Sequence, residues 1–252
     1  MLAGPHIVAA VQFEPGRLDV RANVALMEQL VFEAAAKGAR MVVLPELCTS
    51  GTRVLTAHEA ASCAQGSQGH VTQRMMRLAT RFDCYVVFGY VESCGGRLFN
   101  SAAIVGPSGL VGNAQKHNLW GTDHLWAQRS AAIAPIVPTP IGRLGVLIGR
   151  DVMNTWRSSK PFAQPDFRFY RQGSVDVVCL PTSWSDHEGG LSDSQWVDLA
   201  EETRANVVVA NACGKLADGR VMGGSCIIDR TLRVWMHGGG SNEAVVGGVM
   251  IS

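Results

Sequence analysis

Apolar positions along this chain switch between two spacings. Short runs rich in Val, Ile and Ala at His6–Phe13, Arg40–Leu44 and Cys84–Tyr90 predict strands. Between them, Val24, Met27, Leu30, Val31 and Ala34 fall on one face of a helix over Val20–Gly38, which Gly38 stops. Val71–Phe82 predicts a second helix. Leu98–Val105 and Leu110–Lys116 are strands on either side of Gly106-Pro107-Ser108-Gly109, a turn by composition. Ile133–Pro138 and Leu144–Ile148 make another pair around Ile141-Gly142-Arg143. The polar stretch Asn154–Arg171 predicts a helix whose regularity Pro161 and Pro165 limit. Then come a strand at Val175–Leu180, a helix at Asp193–Ala205, and strands at Asn206–Ala210, Ser225–Ile228, Leu232–Met236 and Val245–Ile251. The pattern describes an α/β or α+β layered fold. With no repeat or linker, one domain over residues 1–252 is expected.

Composition narrows the function more than the fold. With 47% hydrophobic and 17% charged residues the chain can build a substantial core. Its 22 basic and 21 acidic side chains nearly cancel and form no basic run, which argues against nucleic acid or an anionic membrane as partner. No apolar stretch reaches the roughly 18 residues of a membrane helix. Met1–Ala10 lacks the pattern of a signal peptide. The 7 cysteines are scattered, so reduced thiols and a cytoplasmic setting are expected. Metal-binding His-Glu-x-x-His and Cys-x-x-Cys, a phosphate loop and a dinucleotide-binding glycine motif are all missing, so no cofactor or metal is expected. His117 and His124 stand close to Lys116 but are too few for a metal site.

Three segments each place polar residues directly after a short apolar run: Glu46 after Met41–Pro45, Lys116 after Leu110–Gln115, and Gly149-Arg150-Asp151 after Leu144–Ile148. Strand ends are where α/β folds commonly assemble sites. A carboxylate and an ammonium meeting in a partly dry cleft can move protons or hold an oxyanion. The same two charges would also serve as a structural ion pair.

These segments, with Leu98-Phe99-Asn100-Ser101-Ala102, Leu180-Pro181-Thr182-Ser183-Trp184 and Gly223–Asp229, resemble in order and spacing the nitrilase superfamily of carbon–nitrogen hydrolases. The resemblance implies a four-layer α-β-β-α sandwich that assembles as a homodimer or higher oligomer. Its substrate would be a small amide, nitrile or carbamoyl compound. It also implies Glu46 as general base, Lys116 as oxyanion holder, and a cysteine nucleophile at position 149. Asp123, Arg150 and Trp184 would line the substrate pocket, with specificity set by Cys48–Gln68 and Met153–Gln172. Position 149 is glycine, so the nucleophile position is vacant and the thioester route is closed.

Three further departures surround the same pocket: Asp123 near the place of a second Glu, Trp126–Arg129 instead of Phe-x-x-Gly, and Thr52 after Gly51. One exchange alone would look like an inactivated variant, whereas four look like natural divergence. Cys48 and Cys179 are the thiols placed to substitute, though buried cysteines more often fill space. A non-catalytic ligand-binding or assembly protein, and an enzyme using Glu46 and Lys116 without a protein nucleophile, are the alternatives.

Overall fold

The computed structural model describes residues 6–54, 56–132, 134–154, 170, 173–185, 193–216, 219–237 and 244–250. Two six-stranded sheets form its centre. The first contains β1 (His6–Gln12), β2 (Met41–Val43), β3 (Tyr85–Cys94), β4 (Arg97–Gly106), β5 (Gly109–Gln115) and β14 (Ala244–Met250), in the order β14-β1-β2-β3-β4-β5. The second contains β6 (Ile136–Thr139), β7 (Gly142–Val146), β8 (Val177–Thr182), β9 (Asn206–Asn211), β12 (Cys226–Ile228) and β13 (Val234–His237), in the order β13-β12-β9-β8-β7-β6. A hairpin of β10 (Cys213–Leu216) and β11 (Gly219–Met222) stands apart from both.

Alternation in the first sheet's strands explains why it is covered on both faces. Val8, Ala10, Met41, Val43, Val87 and Ile104 point to the second sheet. Their neighbours Ala9, Val11, Val42, Leu44, Val86, Phe88 and Val105 join the opposite cluster. That outer cluster is completed by α1 (Val20–Ala36) and α3 (His70–Phe82), through Val24, Met27, Leu30, Val71 and Met75. On the far side Trp196, Leu199 and Ala200 of α4 (Asp193–Thr203) pack with the second sheet. The layers therefore run helix, sheet, sheet, helix.

Several expectations need adjustment. A short helix, α2 (Ala57–Cys63), lies within the segment expected to be a loop. Thr56 caps it, accepting from the Glu59 N–H at 3.1 Å. The β10–β11 hairpin was not anticipated either. The strand expected over Leu144–Ile148 stops at Val146, and a 3-10 turn spans Gly149–Asn154. The helix expected in Asn154–Arg171 and most of the Met153–Gln172 loop lie outside the described residues. No described helix is long and apolar enough to cross a membrane.

Strand direction is what positions the site. β1, β2 and β3 run parallel, and β5 shares their direction because two antiparallel pairings separate it from β3. β7, β8 and β9 are likewise parallel. Glu46, Lys116, Gly149 and Ser183 each follow the carboxyl end of β2, β5, β7 or β8, where open α/β sheets hold ligands.

Candidate active site

The turn carrying Glu46 is clamped to both sheets. Gly89 of β3 donates its N–H to the Pro45 carbonyl (3.2 Å), and the Glu46 N–H reaches the Thr182 carbonyl of β8 at 3.4 Å. The approach to β3 is so close that a Cβ on Gly89 would sit 2.4 Å from the Leu47 nitrogen and 2.7 Å from the Glu46 Cα. A glycine is required there. The Lys116 N–H donates to the Asn100 carbonyl of β4 at 2.8 Å, which fixes the other side of the site.

Side chains from these anchors converge. Lys116 Nζ donates to Glu46 Oε1 at 2.6 Å and to Asp123 Oδ2 at 2.7 Å, and all three side chains are 7% exposed or less. Asn100 Nδ2 bridges the same two carboxylates, at 2.8 Å to Glu46 Oε1 and 3.3 Å to Asp123 Oδ1. Ser183 Oγ donates to Glu46 Oε2 at 2.9 Å. Glu46 thus accepts from an ammonium, an amide and a hydroxyl, a set of donors that suits its ionised form. Burial alone would depress the Lys116 ammonium, but Asp123 and Glu46 outweigh it and raise its pKa above the ordinary range.

A second carboxylate ties the site's loops together. Asp151 Oδ1 accepts the N–H groups of His117 (3.0 Å) and Asn118 (2.7 Å), and its Oδ2 accepts that of Ile148 (3.1 Å). Asn118 Nδ2 returns a bond to the Arg150 carbonyl at 2.7 Å. The Lys116 loop and the Gly149 turn are thereby joined through one buried residue. Burial pushes its carboxyl up to about 6, against the opposing pull of the Asn118 N–H, Lys116 and the other amides.

Glu46, Lys116, Asp123 and Ser183 border a cavity of about 460 Å³ that also meets Thr52, Arg53, Trp120, Arg150 and Trp184. The expected residues Glu46, Lys116, Asp123, Gly149, Arg150 and Trp184 all line it. The Arg150 guanidinium stacks 3.6 Å from the Trp120 ring centroid and lies 5.0 Å from that of Trp184. Asn100 and Ser183 were missed as functional groups, although both lie inside the segments that carried the resemblance. Only the fold shows that they touch Glu46.

At position 149 a Cβ would lie 2.6 Å from Glu46 Oε2, so a side chain there would press on the end of the Glu46 carboxylate. Neither Cys48 nor Cys179 faces the cavity. Cys48 Sγ lies 3.3 Å from the Gly89 carbonyl oxygen and 3.9 Å from Met27 Sδ, within the layer beneath α1. Cys179 Sγ lies 3.5 Å from Met41 Sδ between the sheets. Burial pushes both thiols up to about 12, so neither offers a thiolate near neutral pH. His117 and His124 do not line the cavity, and no described cluster of His, Cys, Asp and Glu could hold a metal.

Gly149 itself has φ +48°, in the left-handed region. Gly149→Ala is expected to lower the unfolding free energy by about 1–2 kcal/mol for that conformation alone. Urea titration checks this, and an unchanged midpoint would show that the turn does not need glycine.

The Carbon-nitrogen hydrolase family profile matches residues 7–246. A "Nitrilase" of Pyrococcus abyssi is 39% identical over 114 residues, which are 45% of this chain and 44% of that relative. A "Protein N-terminal amidase" of Schizosaccharomyces pombe is 24% identical over 94% of this chain and 97% of its own length. The crystal structure of an amidase from Nesterenkonia sp. superposes with a TM-score of 0.79 at 18% identity, covering 100% of this chain and 92% of that one. Its likeness shows the same layered sandwich. The chain belongs to the carbon–nitrogen hydrolase family.

Proposed function

We propose that this protein binds a small amide, nitrile or carbamoyl compound in the cavity beside Glu46 and Lys116 without forming a thioester. The observation that carries this is Glu46 Oε2 standing 2.6 Å from where a side chain at position 149 would begin. In another hydrolase, losing the nucleophile costs on the order of 10⁶ in turnover. In this chain position 149 is glycine, and a side chain there would press on Glu46 Oε2. Restoring the nucleophile by Gly149→Cys would have to displace the carboxylate that the same chemistry needs as base.

The bound group would place its carbonyl oxygen or nitrile nitrogen against the Lys116 ammonium, which already stands charged and desolvated. Trp120 and Trp184 would cover the apolar part. A second proposal follows from the position of Glu46 Oε2: slow cleavage by direct attack of water. Glu46 takes the water's proton as the oxygen bonds to the carbonyl carbon. Lys116 holds the oxyanion, and the proton passes from Glu46 to the departing nitrogen as the carbon–nitrogen bond breaks.

Calorimetry with a panel of small amides, followed by intact-mass measurement of the protein, tests the first proposal. Saturable binding with no covalent adduct is expected; an acyl adduct on any cysteine would refute it. Ammonia release by the unaltered chain, abolished in Glu46→Gln, would establish the second.

A further inference from the structure

Position 149 is glycine and supplies no nucleophile, but the carboxylate beside it already holds a hydroxyl. The Glu46 oxygen nearest Gly149, Oε2, accepts a hydrogen bond from Ser183 Oγ at 2.9 Å. Its other oxygen, Oε1, lies 2.6 Å from the Lys116 ammonium. A base, a hydroxyl bonded to it and a cation for an oxyanion therefore meet on one carboxylate. Nucleophilic catalysis by a serine needs these three groups.

Ser183 is also reachable and firmly held. It lines the cavity and is partly exposed, whereas Glu46 and Lys116 are each only 4% exposed. It directly follows β8, which β7 and β9 flank in the second sheet. The backbone is pinned on both sides of it. Before it, the Thr182 carbonyl accepts from the Ala212 N–H at 3.1 Å and from the Glu46 N–H at 3.4 Å. After it, the Trp184 N–H donates to Asn211 Oδ1 at 2.7 Å, and Asn211 Nδ2 donates to the Gly223 carbonyl at 2.7 Å. A side chain set on such a support keeps its position while a ligand binds.

We propose that Ser183 is a nucleophile in this chain and takes the acyl group of an activated carboxylic ester. Ser183 Oγ bonds to the ester carbonyl carbon as its proton passes to Glu46 Oε2, while Lys116 holds the oxyanion. The carbon–oxygen bond to the leaving group then breaks. The departing phenolate keeps the electron pair, Glu46 gives its proton to solvent, and an oxyester remains on Ser183. Water attacks that oxyester with Glu46 taking its proton, and Ser183 Oγ leaves and recovers the proton from Glu46. An amide nitrogen departs only once protonated, so with amides acylation is the slow half and no adduct accumulates. The proposal goes beyond the amide-binding reading, because it concerns a different acyl donor.

Two probes test this on the full chain. One is p-nitrophenyl acetate, followed by phenolate release and by peptide mass mapping after an acid quench. The other is phenylmethylsulfonyl fluoride, which sulfonylates an activated serine as fluoride leaves. A burst of about one phenolate per chain is expected, with the acetyl or sulfonyl group on Ser183. Ser183→Ala should lose that label, and Glu46→Gln should slow labelling about 100-fold or more. Mapping on the unaltered chain decides the matter even where a variant fails to fold. Label confined to other side chains, or Ser183 labelled as fast in Glu46→Gln, would overturn the proposal and leave amide binding standing. Ser183 labelled as expected in a chain that binds no amide would uphold it and remove the amide-binding reading instead.

Discussion

Lys116→Met is expected to destabilise the protein by about 3–5 kcal/mol at pH 7, because it removes the cation from a buried pair and leaves its carboxylates uncompensated. Glu46 Oε1 and Asp123 Oδ2 lie 2.6 and 2.7 Å from the ammonium and share the single Asn100 amide group. Two carboxylates confined together cannot both stay ionised, so one should take up a proton in the variant. The destabilisation should therefore be smaller at pH 5 than at pH 7. In the unaltered protein the sign is opposite in kind. A lysine whose folded pKa is raised contributes stability that is fully present below its unfolded value and lost only as pH rises through the folded one. Its contribution at pH 7 is complete. Urea titrations of both proteins at the two pH values check this. A loss under about 1 kcal/mol would mean that the pair behaves as an exposed one.

How much of this was visible beforehand depends on the kind of signal. Val8 to Val11, Met41 to Leu44 and Val86 to Phe88 alternate between two apolar clusters, so their strands could be read from local pattern. Helix α1 was legible for the same reason, with its buried face repeating every three or four residues. The hairpin β10–β11 was not: it is short, belongs to neither main sheet, and Cys213-Gly214-Lys215-Leu216 carries no clear alternation. Nor was α2, whose seven residues are too few for a periodic signal and rest on a cap and on Ala60 and Cys63 being buried.

The candidate site was legible as a set of positions but not as an arrangement. Glu46, Lys116 and Gly149 could be picked out because each follows an apolar run, and the strand directions bring them to one end of the sandwich. Their relation could not be picked out. That Glu46 leans into the space beside Gly149 depends on Ser183, which is 137 residues away in the chain. That Cys48 and Cys179 are out of reach depends on which face of each element is buried, and small residues between apolar neighbours leave this open. Backbone approach is hidden in the same way. Gly89 looks like any glycine in a strand until the Glu46 turn is seen lying against it.

Asp151 offers the second large effect, and its origin is positional. Asp151→Ala leaves the amides of His117, Asn118 and Ile148 without their acceptor. Such groups cost about 1–3 kcal/mol each when unsatisfied, and relief of the buried charge offsets part of this, for a net loss of about 3 kcal/mol at pH 7. The pH dependence is the sharper test. The folded state raises the Asp151 carboxyl to about 6, mainly by burial, with the Lys116 ammonium the nearby charge that opposes it. A carboxyl raised on folding binds its proton more readily in the native chain, so its contribution is most favourable at low pH and declines as pH rises through about 6. The alanine variant lacks this dependence. Its deficit should therefore be larger at pH 5 than at pH 8, by on the order of 1 kcal/mol, the reverse of the trend expected for Lys116→Met. Because Asp151 joins the Lys116 loop to the Gly149 turn, the variant should also bind amides more weakly wherever it remains folded. If its deficit is the same at both pH values and its amide affinity is intact, the carboxylate is a filler of space and does not hold the two halves of the site in register.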